Sequence, residues 1–144
     1  MKITFTAYGK PQPQGSSRAF IVAGKARITS ANGNLKPWRS EVTGAACHAM
    51  SAAGLTMPMA GKHVPVQVTA HFTFRKPASV AKNRSEMVVK PDIDKLMRSL
   101  LDSCTRILWH DDAQVVKAIA TKSYGQVEGV YVNATILGGS DDSK

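Results

Sequence analysis

Between residues 93 and 104, Ile93, Leu96, Met97, Leu100, Leu101 and Cys104 recur at helical spacing. That spacing marks one apolar face of an α-helix. The opposite face collects Asp94, Lys95, Arg98, Ser99 and Asp102. A stripe of period 3.6 cannot lie on a half-buried strand, whose side chains alternate with period two. The fold must therefore supply a surface that covers this helix on one side only. The rest of the chain offers it. Val64, Val66, Val68, Ala70, Phe72 and Phe74 alternate with Gln67, Thr69, His71, Thr73 and Arg75, the cleanest strand pattern in the sequence. Residues 1–8, 114–122 and 129–137 also read as strands, and Phe20–Val22 with Ala26–Thr29 reads as a short hairpin around 23–25. A second helix is predicted from about Lys36 to Ala53, with Asn34 as its cap and Pro37 in its first turn. Residues 9–19, 54–62 and 75–91 read as loops, rich in Pro, Gly or basic residues.

These elements predict a small α/β (α+β) domain over residues 1–138, two main helices packed on a sheet, followed by a polar tail at 139–144. No change of composition divides the chain, and 43% apolar content suits one modest core. No apolar run is long enough to span a bilayer, and the N-terminus lacks the core of a signal peptide. Cys47 and Cys104 lack metal-like spacing and are expected to be reduced thiols in a cytoplasmic protein. His48 has no second ligand at helical spacing, and His71 has no nucleophile in its pattern, so both are expected to be bystanders.

Charge narrows the function. The chain holds 19 Lys and Arg against 10 Asp and Glu, yet five of the acids fall between residues 92 and 112: Asp92, Asp94, Asp102, Asp111 and Asp112. Outside that window stand 16 basic residues against 5 acidic ones. A basic chain suits nucleic acid. An acidic island within it repels phosphate, unless it holds Mg²⁺ against a phosphodiester. The plainer alternative gives Asp92 the role of helix cap and Asp94 that of an anion favoured by the helix dipole. Arg98 lies one turn from both Asp94 and Asp102 and can pair with either. Against that alternative stands the second acidic pair. Asp112 is placed at the mouth of the strand after the helix. Bringing the helix start and the strand start together would set three carboxylates round one cavity.

The segment KPDIDKLMRSLLDSCTRILWHDDAQVV resembles the signature of the RusA family of Holliday-junction resolvases. The shared elements are a D-x-D at a helix start, an Asp about ten residues on, and D-D-x-Q-V entering a strand. The likeness is specific over residues 90–122 and weaker towards the N-terminus. It implies a mixed sheet, a homodimer, and metal-binding, catalytic carboxylates at Asp92, Asp94 and Asp112. Arg98 stands where the family has a functional Lys, which keeps the charge but changes its geometry. Lys95 stands where Asn is common. Asp102 and Asp111 are expected in supporting roles.

The expected activity is Mg²⁺-dependent nicking of four-way DNA junctions in recombination and repair, with Mn²⁺ able to substitute. A non-catalytic basic DNA-binding protein, or a Mg²⁺ nuclease for other branched DNA, are the alternatives. Phosphate contacts are expected from Lys10, Arg18, Lys25, Arg27, Arg75, Lys76, Lys82, Arg84 and Lys90. Lys122 is either a further phosphate contact or a solvated strand end.

Overall fold

A computed structural model describes residues 1–15, 17–22, 25–30 and 32–138, with the backbone alone at 17–22 and 25–30. The strands are β1 (Lys2–Tyr8), β2 (Ser17–Val22), β3 (Lys25–Ser30), β4 (Val66–Arg75), β5 (Val115–Gly125) and β6 (Gly129–Ile136). The helices are α1 (Leu35–Ala52) and α2 (Ile93–Cys104). The four-stranded sheet runs β1-β6-β4-β5. β6 is antiparallel to both neighbours, whereas β4 and β5 are parallel. The sheet is thus mixed, and β2 and β3 form the expected hairpin. The 9–19 loop ends three residues early, because β2 begins at Ser17.

Alternation gives the sheet one apolar face. Ile3, Phe5, Ala7, Val66, Val68, Ala70, Phe72, Phe74, Val130, Val132 and Ala134 are buried there. The two helices cover that face with Trp38, Val42, Ala46 and Met50 from α1 and Leu96, Met97, Leu100 and Cys104 from α2, in one continuous core. Burying this much apolar surface is the main force that orders the chain.

The parallel pair decides where chemistry can sit. A crossover between parallel neighbours must return along the sheet, and α2 makes that return. The start of α2 therefore lies by the C-terminal ends of β4 and β5, and its end lies by their beginnings. Such a crevice outside the carboxyl ends of parallel strands is where α/β sheets bind ligands.

Two expectations fail here. Asn34 occupies the cap position of α1, but its side chain caps nothing; Asn32 Oδ1 accepts from the Asn34 amide instead. Residues 112–114 form a turn of 3₁₀ helix rather than the first residues of a strand. The tail at 139–144 lies outside the described residues. Among the described residues no helix is long and apolar enough to cross a membrane.

Candidate active site

Asp92 stands at the cap position of α2 with extended backbone, φ −70 and ψ 140, yet its carboxylate accepts nothing from the helix. It lies 3.7 Å from Lys95 Nζ in a half-exposed pair. Such a pair contributes little to stability. Asp94 is exposed in the first turn. Asp92 is not consumed by the cap role that sequence pattern alone would give it, and Asp94 keeps the first-turn place that the helix dipole favours.

Asp92 lines a groove of about 710 Å³ together with Lys10, Arg75, Lys90 and Lys95. One wall is the Pro-rich segment 10–15, which is fixed along α2. The Gln14 amide donates to Lys95 O, and Ser99 Oγ donates to Gln12 O. Asp102 accepts from Gln14 Nε2 and helps hold this wall. The i,i+4 spacing let Arg98 pair with Asp94 or Asp102; it pairs with neither, and remains exposed without an ion pair among the described residues.

The 75–91 loop forms the opposite wall and is anchored rather than loose. Lys76 Nζ donates to Ala81 O and Lys82 O. Tyr124 N donates to Ser85 O. Lys122 Nζ donates to Val89 O and Pro91 O, at 2.6 and 2.7 Å. Lys122 is therefore not a solvated strand end: two of its three N–H donors tie the chain entering Asp92 to β5. Lys82, Arg84 and Arg75 line an adjoining cavity of about 440 Å³. The side chains of Arg18, Lys25 and Arg27 lie outside the described residues.

Asp112 lies elsewhere. Its Oδ1 accepts from Trp109 Nε1 at 3.1 Å and from Thr105 Oγ1. Thr105 is the residue that closes α2. Twelve residues of helix separate Asp92 from Thr105, about 18 Å. The expected meeting of helix start and strand start does not occur within one chain. The reason is the parallel pairing of β4 and β5, which sends the strand start to the far end of the sheet. Among the described residues no three His, Cys, Asp or Glu side chains gather as a metal cage. Asp92 and Asp94 alone match what Mg²⁺ commonly takes from a protein, one or two carboxylates completed by water and phosphate.

The Asp112 end is built from groups the sequence reading passed over. Asp111 caps the 3₁₀ turn, accepting from the Ala113 amide at 2.9 Å. Gln114 is buried, and its Oε1 accepts from the His110 and Asp111 amides. Its Nε2 donates to Gly61 O and Val64 O at 2.8 and 3.0 Å. The D-x-x-Q spacing is a capping-box pattern and was the available signal. Burial pushes the Cys104 thiol far above its ordinary range, and the charges of Asp112 and Cys47 push the same way. His71 bridges Thr121 Oγ1 and Ser123 Oγ on the open face of the sheet, away from the groove.

A small mixed-sheet domain with two carboxylates at a helix start, one of them lining a groove beside four basic side chains and Glu128, has a form suited to a phosphodiester backbone. The family described as endodeoxyribonuclease RusA matches residues 9–135, and the chain belongs to that family. It is thereby an endodeoxyribonuclease of the Holliday-junction resolvase class, a class that acts on branched DNA and generally needs a divalent metal. The chain is also similar to the uncharacterized protein YqaN of Bacillus subtilis (strain 168), 27% identical over 138 residues, covering 90% of this chain and 93% of that protein.

Proposed function

We propose that this chain resolves four-way junctions by paired symmetric nicks, using Mg²⁺ held by Asp92 and Asp94, as a homodimer in recombination and repair. Membership of the family carries the junction substrate. The observation that carries the metal role is that the Asp92 carboxylate stands at a helix cap and caps nothing. A bound Mg²⁺ supplies a Lewis acid to the scissile phosphate and lowers the pKa of coordinated water.

The chain's own residues do the rest. Lys10, Arg75 and Lys90 hold the backbone of a DNA arm along the groove by phosphate contacts that carry no base sequence. Lys95, beside Asp92, limits the repulsion between that carboxylate and phosphate. Arg98, exposed one turn beyond Asp94, offers its cation to the scissile phosphate or to a neighbouring carboxylate. Lys122 holds the Val89–Pro91 backbone, and so fixes where Asp92 points. A two-fold junction calls for two sites related by a two-fold axis, which a homodimer supplies.

A substrate panel tests the reading: a synthetic four-way junction, a flap, linear duplex and single strand, each with Mg²⁺ or EDTA. Symmetric nicks in the junction that need Mg²⁺ are the expected result. Preference for the flap would make it a nuclease for other branched DNA. Binding without nicks under every condition would return the protein to a non-catalytic role.

A further inference from the structure

We infer that the face of the sheet turned away from the helices binds single-stranded DNA, with an unpaired base inserted between Tyr8 and Tyr131. The site is independent of the metal role of Asp92 and Asp94.

Both helices pack on one face of the four-stranded sheet, where the core lies. Alternation sets what the other face carries. On β1, Lys2, Thr4, Thr6 and Tyr8 alternate with the buried Ile3, Phe5 and Ala7. On β6, Tyr131, Asn133 and Thr135 alternate with the buried Val130, Val132 and Ala134. On β4 the open-face series runs from Gln67 to Arg75, and its β5 partners include Lys117, Thr121 and Ser123. No strand position on this face is Asp or Glu, whereas Lys2, Arg75 and Lys117 are cations. Cations with no acids between them attract a polyanion. The same charge, on a face rich in threonine, repels a second copy of itself.

Tyr8 and Tyr131 are the largely exposed aromatic side chains among the described residues, at 62% and 51%. They are diagonal neighbours: Tyr8 pairs with Gly129, and Tyr131 stands two residues further along β6. Diagonal neighbours on paired strands lie about 7–8 Å apart. A base slipped between two rings needs about 7 Å, twice the roughly 3.4 Å spacing of stacked bases. Gly129 puts no side chain in that gap, and a cleft of about 280 Å³ opens there, floored by Gly129 and flanked by Thr73. That is below the roughly 300–1,000 Å³ of sites for drug-sized ligands, and on the scale of one base. Beside Tyr131, the His71 ring is held by Thr121 Oγ1 and Ser123 Oγ, which keeps the surface next to the cleft ordered.

The cleft adjoins the groove that holds Asp92. Glu128 lines both, and its Oε2 accepts from the Arg75 amide at 3.1 Å, which engages its charge at the end of β4. Arg75 lines the groove and belongs by parity to the open face. A DNA strand leaving the groove at Arg75 therefore meets the two rings next. Stacking between aromatic side chains, with cations along the backbone, is how sheets hold single strands without reading sequence.

The test is binding of a labelled oligodeoxythymidylate of about eight nucleotides, followed by fluorescence anisotropy at low salt in EDTA, where no cutting occurs. Tyr131→Ala and Tyr8→Ala are each expected to weaken binding about 10-fold. Tyr131→Phe should bind like the wild type, because the ring and not the hydroxyl does the stacking. Binding of a matched duplex should be unchanged in all three, and so should thermal unfolding, since both rings are exposed. Undiminished binding by both alanine variants overturns the proposal, as does a loss in Tyr131→Phe equal to that in Tyr131→Ala. Sedimentation of the DNA-free protein covers the other occupant: a change of oligomeric state in Tyr131→Ala would make this face a contact between copies and overturn the proposal. Photo-crosslinking of the wild type to an iododeoxyuridine-bearing oligonucleotide needs no variant. An adduct at Tyr8 or Tyr131 is expected, and adducts confined to other residues overturn the site. Failure to cut junctions would sink the resolvase reading and leave each of these outcomes decisive.

Discussion

The two ends of α2 carry the same residue type under opposite conditions. At the N-terminal end, Asp92 and Asp94 meet solvent and one loose Lys95 pair. At the C-terminal end, Asp112 accepts from Thr105 and Trp109, while Asp111 and Gln114 close a capping box. A carboxylate whose lone pairs are taken by its own chain stabilises the fold. One left without a cap bond at a helix start, in a groove that also holds Lys10, Arg75, Lys90 and Lys95, is available to a cation and a phosphate. Substitutions at the two ends should therefore separate: activity without stability at one, stability first at the other.

The largest effect is expected at Asp94. Asp94→Asn should lower junction nicking on the order of 100-fold or more, the scale for losing a group that stabilises charge in the transition state. Thermal unfolding should be unchanged. A matching loss of stability would break the contrast.

At the other end, Gln114→Ala removes a buried side chain that satisfies two carbonyls and two amides, and should cost about 3 kcal/mol in urea unfolding. Thr105→Val removes a donor to Asp112 and should cost about 1 kcal/mol. Lys122→Met should speed amide exchange in residues 86–91 and lower nicking about 10-fold through lost positioning. An unchanged exchange rate would show that Lys122 does not hold that wall.

The smallest effect concerns the thiols. Cys104 should resist alkylation in the native protein while half-buried Cys47 reacts. Because the folded-state value of Cys104 is raised, its contribution to stability is complete below the ordinary value of 9.0 and declines as pH rises beyond it. Urea midpoints at increasing pH check the direction.

Most elements were legible because each rests on a local pattern. The α2 stripe and the β4 alternation name residues that the core does bury. What the sequence withheld was direction. Nothing in Val66–Arg75 or Val115–Gly125 encodes whether the two strands run parallel, since pairing is settled by distant contacts and the crossover helix. That single fact moves Asp112 from the groove to the far end of α2. Cap roles misled for a related reason. Asp92 and Asn34 stand where caps stand, but a side chain caps only if its rotamer turns inward, and neither does. The D-x-x-Q of Asp111 and Gln114 is local and readable, whereas the alternation after it points to a strand that starts at Gln114, one residue before β5 begins.

The most direct test sets wild type beside Asp94→Asn on one labelled four-way junction in the same Mg²⁺ buffer, with binding followed in parallel. Paired nicks from the wild type alone are expected, with equal or tighter binding by the variant, because one repulsion with phosphate is removed. Undiminished nicking by Asp94→Asn would contradict it, and would move the chemistry away from the start of α2.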